Sequence, residues 1–327
     1  MRTRPDTTDS TDAGRNEPVD RTTPARAAAL DAVTTRKVAD WWTTEVSDIE
    51  PGVIRFRGYP VQDLIRRASF VETIWTMVRG SMPSPAQAAL LEKALVAAVD
   101  HGPQAPSIAA ARMAATCGVG LHGAMSTGVG LLGDVHGGAG QQCVELLQRL
   151  VTASGGGESG EGADGVSSPA AVSLQEAVAA EVAAHRERRA YIPGFGHRFH
   201  PRDPRRDPLL EFVQEAVDAG VVAGHHLAAA QELEEQLSVG RERPVPMNID
   251  GATAVIYAEL GFTAELARGL FILSRSVGVL AHSWEESQSG RRIKGPMPPP
   301  LLPTYTGHAE RAWATGTDAT AETTDTP

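Results

Sequence analysis

The sequence predicts an all-α protein, and three observations carry that prediction. Five stretches place apolar residues at helical spacing, strand signals are confined to residues 53–61, and a tract rich in Ala and Gly runs from Ser107 to Gly140. Ser84-Pro85 opens AQAALLEKALVAAV, with proline suited to a first helical turn. The segment 107–140 implies helices whose small side chains let their backbones come close. Two G-x-G-x-x-G strings within it, Gly118/Gly120/Gly123 and Gly128/Gly130/Gly133, lack the preceding β-branched strand of a dinucleotide site and are read as composition. Residues 207–220 and 225–240 read as amphipathic helices, each closed by a glycine. Residues 251–260 and 264–284 read as two more, the second largely apolar and therefore expected to be buried. VIRFRGYPV at 53–61 reads as a short hairpin.

Residues 1–33 and 309–327 are rich in Thr, Asp, Ala, Pro and Arg, and are expected to be disordered because they hold too little apolar surface to offset the entropy of ordering. Residues 154–169 read as a polar, Gly-rich loop. The start has no apolar h-region and carries Asp6, Asp9 and Asp12, unlike a signal or transit peptide. With no apolar run long enough for a membrane span and only Cys117 and Cys143, the expectation is a cytoplasmic protein without a disulfide framework or structural zinc. A formal net charge of −10 disfavours nucleic acid and anionic membranes as partners. Against it, residues 185–206 hold seven arginines (186, 188, 189, 198, 202, 205 and 206) opposed only by Glu187 and Asp203. Such a local patch points to a small anionic ligand; its bland alternative is a solvated helix face followed by a charged loop.

Four clusters set titratable groups beside glycine or proline, where a backbone can approach a ligand closely. They are Asp100-His101-Gly102-Pro103, Val135-His136-Gly137-Gly138, Pro193-Gly194-Phe195-Gly196-His197-Arg198 with Asp203-Pro204-Arg205, and Asn248-Ile249-Asp250-Gly251. One histidine alone is more often a satisfied structural residue; four clusters in one chain favour a site. His197, His200 and Asp203 could be read as metal ligands, but Pro201 breaks a helix there and no H-E-x-x-H or cysteine pair supports a metal. The nucleophile pattern G-x-S-x-G does not occur.

PGFGHRFHPRDPR resembles the signature of the citrate synthase family, VHGGAG its HGGAN and NID its NVD. FRGYPVQDLI, LSRSVGVLAHSWEES and YTG match in order, so the resemblance covers about residues 46–307. It implies a citrate synthase-like all-α fold, with a large helical domain of residues 40–150 plus 256–308 and a small helical domain of 151–255. It also implies an acyltransferase condensing acetyl-CoA with oxaloacetate, in a cytoplasmic homodimer that needs no cofactor beyond the CoA thioester itself. A citryl-CoA lyase and a non-catalytic paralogue are the alternatives. By the same resemblance Asp250 is the base, His136 the donor to the thioester oxygen and His197 the donor to the keto oxygen. His101, Arg205 and Arg275 hold the keto acid, and Pro193, Gly194, Phe195 and Gly196 meet CoA. An arginine within FILSRSVGVLAH is costly to bury without an anion, which favours a ligand at Arg275 over an internal pair. The pattern departs in four places, one being the lack of much of the helical segment that normally separates the N-terminal region from the DH motif. Gly102-Pro103 replaces the acidic residue after DH, as in the citryl-CoA lyase branch, and Gly140 replaces the asparagine of HGGAN. Among Arg291, Arg292 and Lys294 there is no clear match to the arginine a partner subunit supplies.

Overall fold

Side-chain caps at Ser69, Ser84, Ser173, Asn248 and Thr263 fix the starts of five helices. The computed structural model describes residues 41–156, 172–197, 200–297, 300–311 and 313. The expected disordered segment 1–33, most of the 154–169 loop and most of the 309–327 tail lie outside them. Two compact units divide the chain at Pro83/Ser84.

In the first unit, β1 (Ser47–Glu50), β2 (Val53–Phe56) and β3 (Tyr59–Pro60) form an antiparallel meander in that order, followed by α1 (Val61–Arg67) and α2 (Phe70–Arg79). The expected hairpin is therefore one strand larger, and Val61 already belongs to a helix. SDIE has weak strand propensity of its own and is extended because β2 pairs with it from Ser47↔Phe56 to Glu50↔Val53. Arg57 and Gly58 both take positive φ (49° and 84°), as a two-residue turn between strands of right-handed twist requires. Ser69 and Glu72 close a capping box at the start of α2.

The second unit is helical: α3 (Pro85–Ala98), α4 (Pro106–Ala115), α5 (Gly120–Gly130), α6 (Ala139–Ala153), α7 (Leu174–Glu187), α8 (Arg206–Asp218), α9 (His225–Ser238), α10 (Ile249–Glu259) and α11 (Ala264–Gln288). Capping boxes at Ser84/Gln87 and Ser173/Glu176 start α3 and α7. The small-residue tract becomes the α4–α5 pair, packed against α11. A Cβ at Gly128 would lie 2.9 Å from the Ser107 carbonyl and 2.8 Å from Val279 Cγ1, so this closeness needs glycine. Both G-x-G-x-x-G strings fall on or beside α5, with no strand before them.

At the centre lies α10, which touches α3, α6, α8, α9 and α11 and is buried at every position from Gly251 to Ala258. The all-round burial expected of 264–284 belongs instead to this shorter helix. α11 is buried along one face only; Leu273, Val277, Leu280 and Trp284 form a stripe 40–55% exposed. Apolar content implied burial, but among the described residues α3–α6 and α10 pack on the opposite face of α11. No helix among the described residues is long and apolar enough to cross a membrane.

Candidate active site

Asn248 builds one wall of the site. As N-cap of α10, its Oδ1 accepts from the N–H of Asp250 (2.9 Å) and of Gly251 (3.3 Å). Its other atoms hold the glycine-rich loop: Nδ2 donates to Gly196 O at 2.7 Å, and its backbone N–H donates to Gly194 O at 2.9 Å. The loop thereby lies directly on the start of α10. Gly194 has φ +86°, and a Cβ there would come 2.7 Å from Cys143 Sγ and 2.8 Å from Gly251 Cα. Gly194→Ala is expected to cost about 1–3 kcal/mol in chemical denaturation, from backbone strain plus overpacking. A variant as stable as the parent would show that the loop can lift off α10 freely.

Asp250 sits in the first turn of α10. Burial pushes its carboxyl above the usual range, although the nearby charges of Arg275 and Arg205 pull the other way. Asp203, 1% exposed, ties Arg205 to the same helix. Its Oδ1 accepts from Arg205 N and Nε (3.0 and 2.9 Å), and its Oδ2 accepts from Arg205 Nη2 (2.9 Å) and Ile249 N (3.1 Å). Burial opposes the charge on Asp203, but the bonds from Arg205 and Ile249 outweigh it and hold its pKa down to about 2. The expected carboxylate clamp Arg205 thus already grips a carboxylate of its own chain, and only its Nη1 bonds none of the described residues.

Three histidines complete the cluster, and hydrogen-bond partners set the tautomers of two. The N–H of Ser107, near the start of α4 where no intrahelical acceptor exists, donates to His136 Nε2 at 3.2 Å. Nε2 must then accept, so in the neutral ring Nδ1 carries the proton. His200 N donates to His197 Nδ1 at 3.0 Å, which puts the proton of neutral His197 on Nε2. Burial lowers the pKa of each ring, assisted by Arg275 at His136 and by His200 at His197. His101, whose ring centre is 6.4 Å from that of His197, is solvent-accessible. Partial burial and the charges of Arg275, Arg205, His197 and His136 lower its pKa too. All three rings are thereby biased towards the neutral form, and two of them, His136 and His197, have a defined N–H donor.

Arg275 is 4% exposed. Its Nε donates to Ala98 O at 3.0 Å, and its guanidinium lies 4.9 Å from the Phe271 ring centre. Among the described residues no carboxylate forms a salt bridge with it, so its charge is answered by a carbonyl, a ring and the field of Asp250 and Asp100. This leaves it suited to an anionic ligand.

The cationic segment separates into different jobs. Arg202 and Arg206 bond Asp207, and Arg206 also bonds Glu234. Arg186 and Arg189, with Arg241, line a cavity of about 700 Å³ that shares Phe195, Gly196 and His197 with the loop. Arg198 lies outside the described residues. His197 and His200 are neighbours, with ring centres 4.7 Å apart, but Asp203 is turned to Arg205 and α10 instead of towards them.

All ten expected site residues are described: His136, His197, Asp250, His101, Arg205, Arg275 and Pro193 to Gly196. Three supporting residues were not anticipated: Ser107, Asn248 in its capping role, and Asp203 as the tie between Arg205 and α10. Only Asn248 carried a local signal, an N-cap residue ahead of an apolar helix.

A family model described as citrate synthase, C-terminal domain, matches residues 36–90 and 76–296. The citrate synthase of Acidithiobacillus ferridurans is 28% identical over 270 residues, 80% of this chain and 61% of that protein. The citrate/2-methylcitrate synthase of Bacillus subtilis (strain 168) is 27% identical over 239 residues, 72% of this chain and 56% of that protein. The chain therefore spans somewhat over half the length of these curated relatives. Citryl-CoA lyase from Hydrogenobacter thermophilus superimposes with a TM-score of 0.70 at 27% identity, covering 84% of this chain and 97% of that one. A Thermoplasma acidophilum citrate synthase, solved with carboxymethyl coenzyme A and oxaloacetate, shares the fold with a TM-score of 0.60 at 20% identity, covering 76% of this chain and 59% of that one.

Proposed function

Because the chain belongs to the citrate synthase family, we propose that it is an enzyme making or breaking the bond between the methyl carbon of acetyl-CoA and the keto carbon of oxaloacetate. The observation that carries this reading is a buried carboxylate of raised pKa within the field of two arginines, in a cluster with three imidazoles of lowered pKa, two of which have a defined N–H donor. In the bond-forming direction Asp250 takes a proton from the thioester methyl group. His136 Nδ1–H bonds the thioester oxygen and stabilises the enolate. The enolate carbon attacks the keto carbon, and His197 gives its Nε2 proton to the keto oxygen as negative charge develops there, leaving a hydroxyl group on the product. In the reverse direction His197 takes the hydroxyl proton as the carbon–carbon bond breaks, and Asp250 returns its proton to the methyl carbon. His101, Arg275 and the remaining Arg205 nitrogen hold the keto acid's carboxylates. CoA lies along Pro193 to Gly196, with its phosphates among Arg186, Arg189 and Arg241.

The division into a large domain (40–150 plus 256–308) and a small one (151–255) belongs to the same proposal. It would put His101, His136 and Arg275 on one and His197, Arg205 and Asp250 on the other, so that closure assembles the site. The exposed stripe Leu273, Val277, Leu280 and Trp284 suits a second copy of the chain in a cytoplasmic homodimer.

A synthase adds hydrolysis of the citryl-CoA thioester, whereas a lyase stops at cleavage. Two observations favour cleavage as the second reading. Gly102, with φ +81°, stands where the family places an acidic residue, and the likeness to a citryl-CoA lyase covers 97% of that chain. Supplied with citryl-CoA in one assay and acetyl-CoA plus oxaloacetate in another, the protein is expected to cleave the former faster than it releases CoA from the latter. Efficient CoA release without faster cleavage would establish the synthase. Neither activity, in a folded protein, would leave the non-catalytic paralogue.

A further inference from the structure

The turn that carries His101 runs between α3 and α4 and is fastened along one face of α11. Ser274 Oγ bonds Leu95 O, Arg275 Nε bonds Ala98 O, and Gly278 N bonds Val99 O at 3.1 Å. A Cβ at Gly278 would lie 2.3 Å from that last carbonyl, so only glycine allows the approach. One helical turn further on, His282 Nε2 faces Asp100 Oδ1 at 3.2 Å. That oxygen is buried, and burial alone would raise the Asp100 pKa, but the N–H of Gly102 and the His282 ring outweigh it and hold the carboxyl below its usual range. Asp100 Oδ2 accepts from Gly102 N at 3.0 Å. One carboxylate thereby joins the residue before His101, the residue after it, and α11.

The far side of His282 determines its tautomer. Arg112 Nη1 lies 3.1 Å from His282 Nδ1, and a guanidinium can only donate. In the neutral ring Nδ1 therefore accepts and the proton sits on Nε2, facing Asp100; Glu285 Oε2 stands further from the same Nδ1, at 3.7 Å. Arg112 is itself anchored: its Nε donates to Glu286 Oε2 at 2.7 Å, and its Nη1 lies 3.2 Å from Glu285 Oε2. The Glu286 carboxylate is fully buried and also accepts from Lys294 Nζ at 3.2 Å.

We propose that His282 is a positioning residue for the keto-acid site: held in its Nε2–H form by Arg112, it seats Asp100, which sets the turn presenting His101 beside His197 and Arg275. The inference rests on the reading of His101 as a keto-acid ligand. It assigns a function in catalysis to a histidine, an aspartate and an arginine that do not meet the reacting atoms.

The test is oxaloacetate binding by calorimetry, with steady-state kinetics, on the full chain and on His101→Ala, His282→Ala and His282→Gln. Glutamine is chosen because its amide nitrogen reaches the position of imidazole Nε2 and donates from there. His101→Ala and His282→Ala should each weaken oxaloacetate binding about tenfold, the scale of one lost polar contact. KM should rise far more than kcat falls, and His282→Gln should recover most of the loss. If His282→Ala does not fold, Asp100→Asn gives the same readout and should show a similar loss, with no further loss when combined with His282→Gln. Unchanged affinity in His282→Ala or Asp100→Asn beside a weakened His101→Ala overturns the inference, as does a glutamine variant no better than alanine. If His101→Ala binds oxaloacetate as tightly as the parent, the reading of the site fails, and the inference with it.

Discussion

Asp250→Asn is expected to lower turnover by at least the 10²–10⁴-fold typical of losing a general base, while oxaloacetate affinity stays nearly unchanged. The amide keeps the shape of the carboxylate at the start of α10 and leaves Asn248's capping bonds to the backbone in place. It cannot accept the proton of the thioester methyl. Burial raises the Asp250 pKa, so the acid limb of kcat/KM in the parent should lie above the range of an exposed carboxylate. Below that limb Asp250 is protonated and cannot act as a base; above it the rate levels off. The asparagine variant should lose the limb together with the rate. Wild-type turnover in Asp250→Asn would remove Asp250 from the role of base.

Asp203→Ala should have the second-largest effect, on stability and ligand affinity together. Removing one partner of a buried ion pair costs about 3–5 kcal/mol, and the lower end applies because the Arg205 side chain keeps 26% exposure and some hydration. The Ile249 N–H would also lose its acceptor, and Arg205 its fixed orientation. Chemical denaturation measures the first effect and calorimetry with oxaloacetate the second. The pH dependence follows from the sign of the shift. The folded pKa of about 2 lies below the ordinary value of 3.8. The stabilisation is therefore fully present above about pH 4 and is lost as pH falls towards 2, amounting to about 2 kcal/mol by linkage. The parent should lose that much more stability than Asp203→Ala across this window. A loss below about 1 kcal/mol at neutral pH, with unchanged affinity, would show that Asp203 holds neither Arg205 nor α10.

Local chemistry was legible from the sequence because it acts over a few residues. Ser84-Pro85 and the glycines closing 207–220 and 225–240 mark helix ends that the structure places within a residue or two, whereas the capping box at Ser173 that starts α7 was not read from the sequence. The chemical types at the site, a carboxylate, three imidazoles and two guanidiniums beside glycine turns, were legible in the same way, as was their resemblance to one family. Only the tertiary structure decided how those groups are tuned. The tautomer of His136 depends on Ser107, 29 positions away, and the setting of Arg275 on a carbonyl 177 positions away. Arg205 could be recognised as a guanidinium near a loop, but not as one already gripping Asp203. Burial of α10 rather than α11 is decided likewise, since hydropathy records what a helix would bury and only packing supplies the surface that buries it. Composition and spacing name the reacting groups, whereas their pKa values and proton positions arise from neighbours that the chain brings together only on folding.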